Sequence, residues 1–164
     1  MNPLPASSEF RFEKHRTGAV VTLATNENVK GCFFTAADNA RRDGAERIGD
    51  LLNSEKGFFP FEVQTDGGAA TVLYNRAHVI AVRVLDDEAR RDPGYVVARR
   101  RVVSILLSNS QRVEGEVRVY RPEGHDRLSD WTRQPEVFRY LEAADATYIV
   151  NAAHIVSLTE VSGS

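Results

Sequence analysis

The residues of this chain best suited to chemistry recur in pairs. Asn75-Arg76-Ala77-His78 returns as Asn151-Ala152-Ala153-His154. An amide and an imidazole at a tight corner could ligate a metal, and Arg76 beside them could neutralise a phosphate. Each histidine, however, stands among apolar neighbours with no second His, Cys or carboxylate at ligand spacing. The pattern therefore reads as rings that cap a turn or bond a backbone carbonyl, with Asn75 and Asn151 as turn formers. Arg47 and Asp50, repeated as Arg127 and Asp130, sit three apart and suit intrahelical ion pairs. No duplicated nucleophile or base accompanies them, so they do not make a catalytic set.

The arginines Arg90, Arg91, Arg99, Arg100 and Arg101 form the one basic concentration of the chain, interleaved with Asp86, Asp87, Glu88 and Asp92. They read as a solvated linker or as contacts between two halves. Gly-x-Gly-x-x-Gly, P-loop, Gly-x-Ser-x-Gly and metal-binding His motifs are all absent from the sequence. The expectation is a protein with no enzymatic activity, no cofactor and no metal. Its candidate ligand-binding residues are Asn75, Arg76, His78, Asn151, His154, Arg99, Arg100 and Arg101.

These residues sit in a chain that repeats itself. The corners lie within Ala70–Val82 and Ala146–Leu158, where Ala, Thr, Asn, Ala and His hold fixed places among apolar or small residues. Ahead of them, Ala19, Val21 and Leu23 alternate, Thr25-Asn26-Glu27-Asn28 turns, and Val29-Lys30-Gly31-Cys32-Phe33 continues the alternation. Val103, Ile105 and Leu107, Asn109-Ser110-Gln111-Arg112 and Val113–Val119 repeat this hairpin. Gly31 and Gly115 interrupt matching strands, as where a sheet bends sharply. Asp43–Leu51 and Glu123–Trp131 match as a short lid helix, with an insertion around Ala36 to Arg42 in the first copy. An aromatic strand follows, Phe58–Val63 against Val137–Leu141. Pro60 places it at an edge or with its missing N–H turned outward.

The reading divides the chain into an N-terminal arm (1–16), a first copy (17–85), a linker (86–98) and a second copy (99–164). A hydrophobic fraction of 42% and a charged fraction of 27% are ordinary for a soluble chain. With formal net charge −2, neither half is basic, which removes the broad positive field that nucleic acid or an anionic membrane would require. No apolar run approaches the roughly 18 residues of a bilayer span, and the start lacks a signal pattern. With the single cysteine, Cys32, these features predict a cytoplasmic protein that engages no membrane.

Val-x-Gly at 29–31 and 113–115, together with the corners at 75–78 and 151–154, resembles the topology of Sm-like and SH3-like small barrels. The expected fold is all-β: two tandem five-stranded small barrels from an internal duplication, each with a short lid helix. The Gly-x-Asp/Glu-Arg-Leu-x-Asp-Trp motif, the aromatic strand and the closing Asn-x-x-His-Ile are similar to a bacterial family of uncharacterised domains with no assigned activity. The Sm-like resemblance implies RNA contacts at the corner between the last two strands. Here that corner lacks the glycine of the Sm pattern, and the second copy lacks the basic residue. Arginines ahead of a small barrel also resemble the entry of PilZ domains, cyclic-dinucleotide sensors, although the partner motif Asp/Asn-x-Ser-x-x-Gly is absent.

The expected function is a binding or scaffolding module for a protein partner, with Sm-like RNA binding second and cyclic-dinucleotide sensing third. Exposed strand edges leave both an intramolecular pair of barrels and a ring of copies open.

Overall fold

The computed structural model describes residues 14–36, 45–120 and 127–161. The expected insertion around Ala36 to Arg42, the arm before Lys14 and the start of the second lid segment fall largely outside these residues. The described chain is all-β, with ten antiparallel strands and two short helices. In the first copy, β1 (Lys14–Leu23) and β2 (Asn28–Ala36) are followed by helix α1 (Ile48–Ser54), β3 (Phe58–Thr65), β4 (Gly68–Asn75) and β5 (Val79–Val84). The second copy supplies β6 (Arg99–Leu107), β7 (Arg112–Val119), helix α2 (Leu128–Thr132), β8 (Phe138–Ala143), β9 (Thr147–Asn151) and β10 (Ile155–Glu160).

Local chemistry accounts for these elements. The β1–β2 and β6–β7 hairpins turn through Asn26 and Ser110, both in the left-handed region at φ 70° and 72°. Helices α1 and α2 start alike: Asp50 accepts the backbone N–H of Arg47 at 3.1 Å, and Asp130 accepts that of Arg127 at 2.9 Å. The repeated Arg-x-x-Asp thus carries an N-terminal cap. At the corners, Asn75 accepts from the Ala77 N–H at 3.0 Å and Asn151 from that of Ala153 at 2.9 Å. Each opens a single 3₁₀ turn.

The strands lie in one continuous sheet of order β10-β6-β7-β8-β9-β5-β1-β2-β3-β4. Each copy contributes a block of five in the same relative order. The all-β expectation holds, while among the described residues the strands form one open sheet: β5 pairs not with β4 of its own copy but with β9 of the other. The pairing is antiparallel, with Ala81 opposite Val150, Val82 opposite Ile149, Arg83 opposite Tyr148 and Val84 opposite Thr147. Two cores result. Phe33, Phe59, Phe61, Ile48 and Leu52 fill the first, whereas Val103, Ile105, Val117, Trp131 and Leu141 fill the second. The junction strands serve both. Val82 and Ile149 enter the first core, and Ile80, Ala81 and Val150 enter the second. Phe138, from the second copy, packs in the first core.

One further expectation changes and two that left alternatives open are narrowed. Of the two placements expected for the aromatic strand β3, the edge is excluded, because it pairs with both β2 and β4. The β2 ladder stops at Phe61, one residue short of Pro60, which accommodates the missing donor. The match between β3 and β8 shifts by one residue: Phe58 and Phe138 stand opposite the corner asparagines, so Arg139 takes the place of Phe59. Of the two roles expected for the charged segment 86–98, it takes that of contact between the copies, since Glu88 and Ala89 are buried. Glu88 accepts from the N–H groups of Ile48 and Gly49 at 3.2 and 3.3 Å and from the Tyr140 hydroxyl at 2.7 Å.

Candidate interaction surface

The two corners meet. The Asn151 side chain donates to the Val79 carbonyl at 2.9 Å and to that of Arg76 at 3.4 Å. His154 Nε2 lies 2.8 Å from the Ala77 carbonyl, and its Nδ1 lies 2.7 Å from Ser108 Oγ. A neutral ring protonated at Nε2 satisfies both contacts. The second corner therefore clamps the start of β5 where the two copies join. The first corner has no such counterpart. His78 is exposed, and among the described residues neither its ring nor the amide nitrogen of Asn75 has a hydrogen-bond partner.

Arg76 is buried and turned inward. Its Nε, Nη1 and Nη2 donate to the carbonyls of Leu52, Phe58 and Leu51 at 3.1, 2.7 and 3.1 Å, and the guanidinium lies over the Phe59 ring at 5.6 Å. Burial pulls its pKa below the usual value for arginine, with Glu55 acting in opposition. Its donors hold the end of α1 to the sheet instead of facing a phosphate. On β6, Arg99 and Arg101 alternate with Arg100 across the strand. Arg100 lies 3.8 Å from Glu116 and Arg101 lies 3.3 Å from Glu160. Alternation sends the three guanidinium groups to opposite faces, so they do not form one cluster.

A cleft of about 930 Å³ opens between α1, the 86–98 segment and the second copy. Two of its arginines pair with carboxylates within it. Arg47 pairs with Asp50 at 2.8 Å and with Asp92 at 2.7 Å, and Arg118 lies 3.6 Å from Glu142 and 3.9 Å from the Tyr95 ring. Burial and the neighbouring Glu88 hold the Tyr140 hydroxyl far above the usual tyrosine range, so it donates and does not ionise. Burial likewise raises Glu88 above the ordinary 4.5. Among the described residues no group of three His, Cys, Asp or Glu side chains could hold a metal, and no helix is long and apolar enough to cross a membrane.

Among the described residues, the sheet ends in two open edges, β4 and β10. Leu73 on β4 and Val156 on β10 are exposed, as is Phe58 beside β4. No family, curated protein or solved structure matches this chain. Among the described residues, the open edges and the first corner are the part of the surface with the fewest satisfied groups. Asn75 and His78 of that corner stood out in the sequence, whereas Leu73, Val156 and Phe58 did not. Their signal was present: apolar residues kept at matching places in the two copies.

Proposed function

We propose that this chain is a non-enzymatic cytoplasmic scaffolding module, built from two curled Sm-like small barrels, that binds protein by adding strands at the edges of its sheet. The observation that carries this reading is the pair of open edges. Gly68–Asn75 contains no charge and no proline, and Ile155–Glu160 carries one charge, at its end. Edges meant to stay solvated are commonly blunted by lysine, proline or inward charges. An unblunted edge bearing exposed Leu73 or Val156 suits strand addition, in which backbone hydrogen bonds give affinity and alternate side chains give specificity. Against the RNA reading stands Arg76, whose guanidinium serves three carbonyls within its own copy.

The test is a photo-crosslinking amino acid placed at position 73 or 156 of the full chain in growing cells. Protein adducts resistant to nuclease are expected at both positions. Adducts that disappear with nuclease, or no protein adducts at either position, would overturn the reading. In parallel, uridine-rich and adenine-rich oligonucleotides should give no anisotropy change near physiological salt.

A further inference from the structure

The cleft between α1, the 86–98 segment and the second copy holds a pair of like charges that the fold does not require. Glu116 on β7 and Glu142 on β8 stand directly opposite each other, so both side chains leave the sheet on one face, and both line the cleft. Like charges so placed repel. The first copy avoids the conflict: Cys32 takes the place of Glu116 opposite Glu62, and Glu62 lies 3.2 Å from Arg16. In the second copy, Arg118 Nε lies 3.6 Å from Glu142 and the mostly exposed Arg100 lies 3.8 Å from Glu116, distances beyond hydrogen bonding. Glu142 accepts from the Tyr95 hydroxyl at 2.7 and 2.8 Å. Among the described residues, nothing donates a hydrogen bond to the Glu116 carboxylate.

Two more groups on the cleft wall are unspent. The exposed Glu136 carboxylate receives no hydrogen bond from a described residue, because the neighbouring Arg139 guanidinium donates instead to the carbonyls of Glu136, Trp131 and Gln134. Trp131 is only 2% exposed, lines the cleft, and has the Arg139 guanidinium over its ring at 4.9 Å. Its indole N–H has no partner among the described residues. A tryptophan this deeply buried ordinarily bonds its N–H. Arg118 Nε is the one side-chain polar atom of the described residues that is both fully buried and unpartnered, so the Trp131 N–H keeps access to open space. The wall therefore offers spare carboxylate acceptors and a spare donor.

We propose that the cleft is a binding site for an organic cation held next to a carbonyl oxygen, the chemistry of an arginine or lysine residue. The guanidinium or ammonium takes the Glu116 carboxylate and relieves its repulsion with Glu142, while Glu136 adds to the negative field at the rim. The carbonyl accepts from the Trp131 N–H. A cleft of about 930 Å³ has the size of a small-molecule pocket, more than a bare ion fills. Among the described residues no three His, Cys, Asp or Glu side chains could gather on a metal, and an anion would meet the Glu116–Glu142 pair. The cation reaches the cleft either free, as a basic amino acid, or presented within a polypeptide. This site is separate from the sheet edges.

The test uses purified full-length protein, with Trp131, the single tryptophan of the chain, as the reporter. Nα-acetyl-arginine amide should change the tryptophan emission and saturate with a dissociation constant of about 0.1–1 mM, and calorimetry should give the same constant. The uncharged Nα-acetyl-glutamine amide and the anionic Nα-acetyl-glutamate amide should not bind up to roughly 10 mM. Agmatine, which keeps the guanidinium but has no carbonyl, should bind about three- to tenfold more weakly than the capped arginine. Free L-arginine distinguishes the sources. Binding tighter than that of the capped residue identifies a free amino acid, and equal or weaker binding identifies a residue within a polypeptide.

Glu116→Gln should weaken the capped arginine about five- to tenfold, and the exposed Glu136→Gln about two- to fivefold, with circular dichroism unchanged in both. Trp131→Phe, followed by calorimetry, should lower the affinity for the capped arginine to that for agmatine and leave agmatine unchanged. Where that variant does not fold, agmatine decides the carbonyl contact on the wild type, and agmatine binding as tightly as the capped residue overturns it. No saturable response to any cationic probe, equal binding of the glutamine analogue, or unchanged affinity in both glutamate variants would overturn the proposal. Photo-crosslinks that persist at positions 73 and 156 in that event leave the reading of the edges standing.

Discussion

Replacing Gly31 with alanine should be among the most damaging single-methyl additions available in this protein. Gly31 lies on β2 opposite Val63, and a Cβ built on it falls 2.0 Å from the Glu62 carbonyl oxygen and 2.7 Å from a Phe61 ring carbon. At Gly115, on β7 opposite Ala143, the nearest atom is the Glu142 carbonyl oxygen at 2.6 Å. Real Cβ contacts stay beyond 3.0 Å, so the facing strand must retreat by about 1 Å at Gly31 and about 0.4 Å at Gly115. A retreat of about 1 Å breaks the adjacent backbone hydrogen bonds, and β2 holds β3 through only three registered pairs. Losing two such bonds at about 1 kcal/mol each, with displacement of the packed Phe61, gives about 2–4 kcal/mol for Gly31→Ala and about 1–2 kcal/mol for Gly115→Ala. Gly67→Ala is the control: nothing lies within 4 Å of its built Cβ, so a change within about 0.5 kcal/mol is expected. Urea unfolding followed by circular dichroism reads these as shifts in midpoint at constant slope. If Gly31→Ala unfolds at the same urea concentration as Gly67→Ala, the close crossing of β2 over β3 is not a constraint and the argument fails.

Asn151→Ala should cost about 2–3 kcal/mol, since buried carbonyls lose their donor as well as the turn losing its cap, whereas Asn75→Ala should cost about 1 kcal/mol; urea midpoints of the two variants decide this. Because Phe138 and Ile149 of the second copy pack in the first core, heating should give one calorimetric transition with matching calorimetric and van't Hoff enthalpies, and two resolved transitions would contradict the shared junction. Burial raises the Glu88 carboxyl above 4.5, so the folded state holds its proton to higher pH than the unfolded state does. The Glu88 contribution to stability is therefore largest below the unfolded value and is lost as pH rises through the folded one. Midpoints measured at rising pH from 4.5 should fall relative to those of Glu88→Gln, and parallel profiles would refute the assignment.

Much of this fold was readable because its signals are local. Alternation located the hairpins, the Asn-x-Ala-His corners located the turns before β5 and β10, and Gly31 and Gly115 marked the tight crossings. The continuous sheet was harder to see because strand partners are a nonlocal property. One clue lay in β5, where Val79, Ile80, Ala81 and Val82 form an unbroken apolar run, as in a strand covered on both faces. The matching run from Ile155 is broken by Ser157. The shift between β3 and β8 was hidden because both strands are rich in aromatics, and a one-residue slip exchanges the faces while leaving the composition similar. Glu88 was placed in a linker because its neighbours Asp86 and Asp87 are polar; sequence alone does not reveal the α1 N–H groups and the Tyr140 hydroxyl that it satisfies.

The buried arginines explain why a basic residue stands at only one of the two corners. At the corner, Arg76 in the first copy corresponds to Ala152 in the second; in the aromatic strand, Phe59 corresponds to Arg139. Arg76 reaches the Leu51 carbonyl at 3.1 Å, and Arg139 reaches the Trp131 carbonyl at 2.7 Å. Leu51 and Trp131 hold the same place in the two lid helices. One guanidinium lies over Phe59 and the other over Trp131. Both copies thus satisfy the same exposed end of a short helix with a buried arginine, delivered from the corner in one and from the strand in the other. A helix this short leaves most of its carbonyls without an internal partner, so a multidentate donor is needed wherever the chain can supply one. The requirement was kept while the position moved, which accounts for the charge difference between the corners without assigning either one a phosphate to bind.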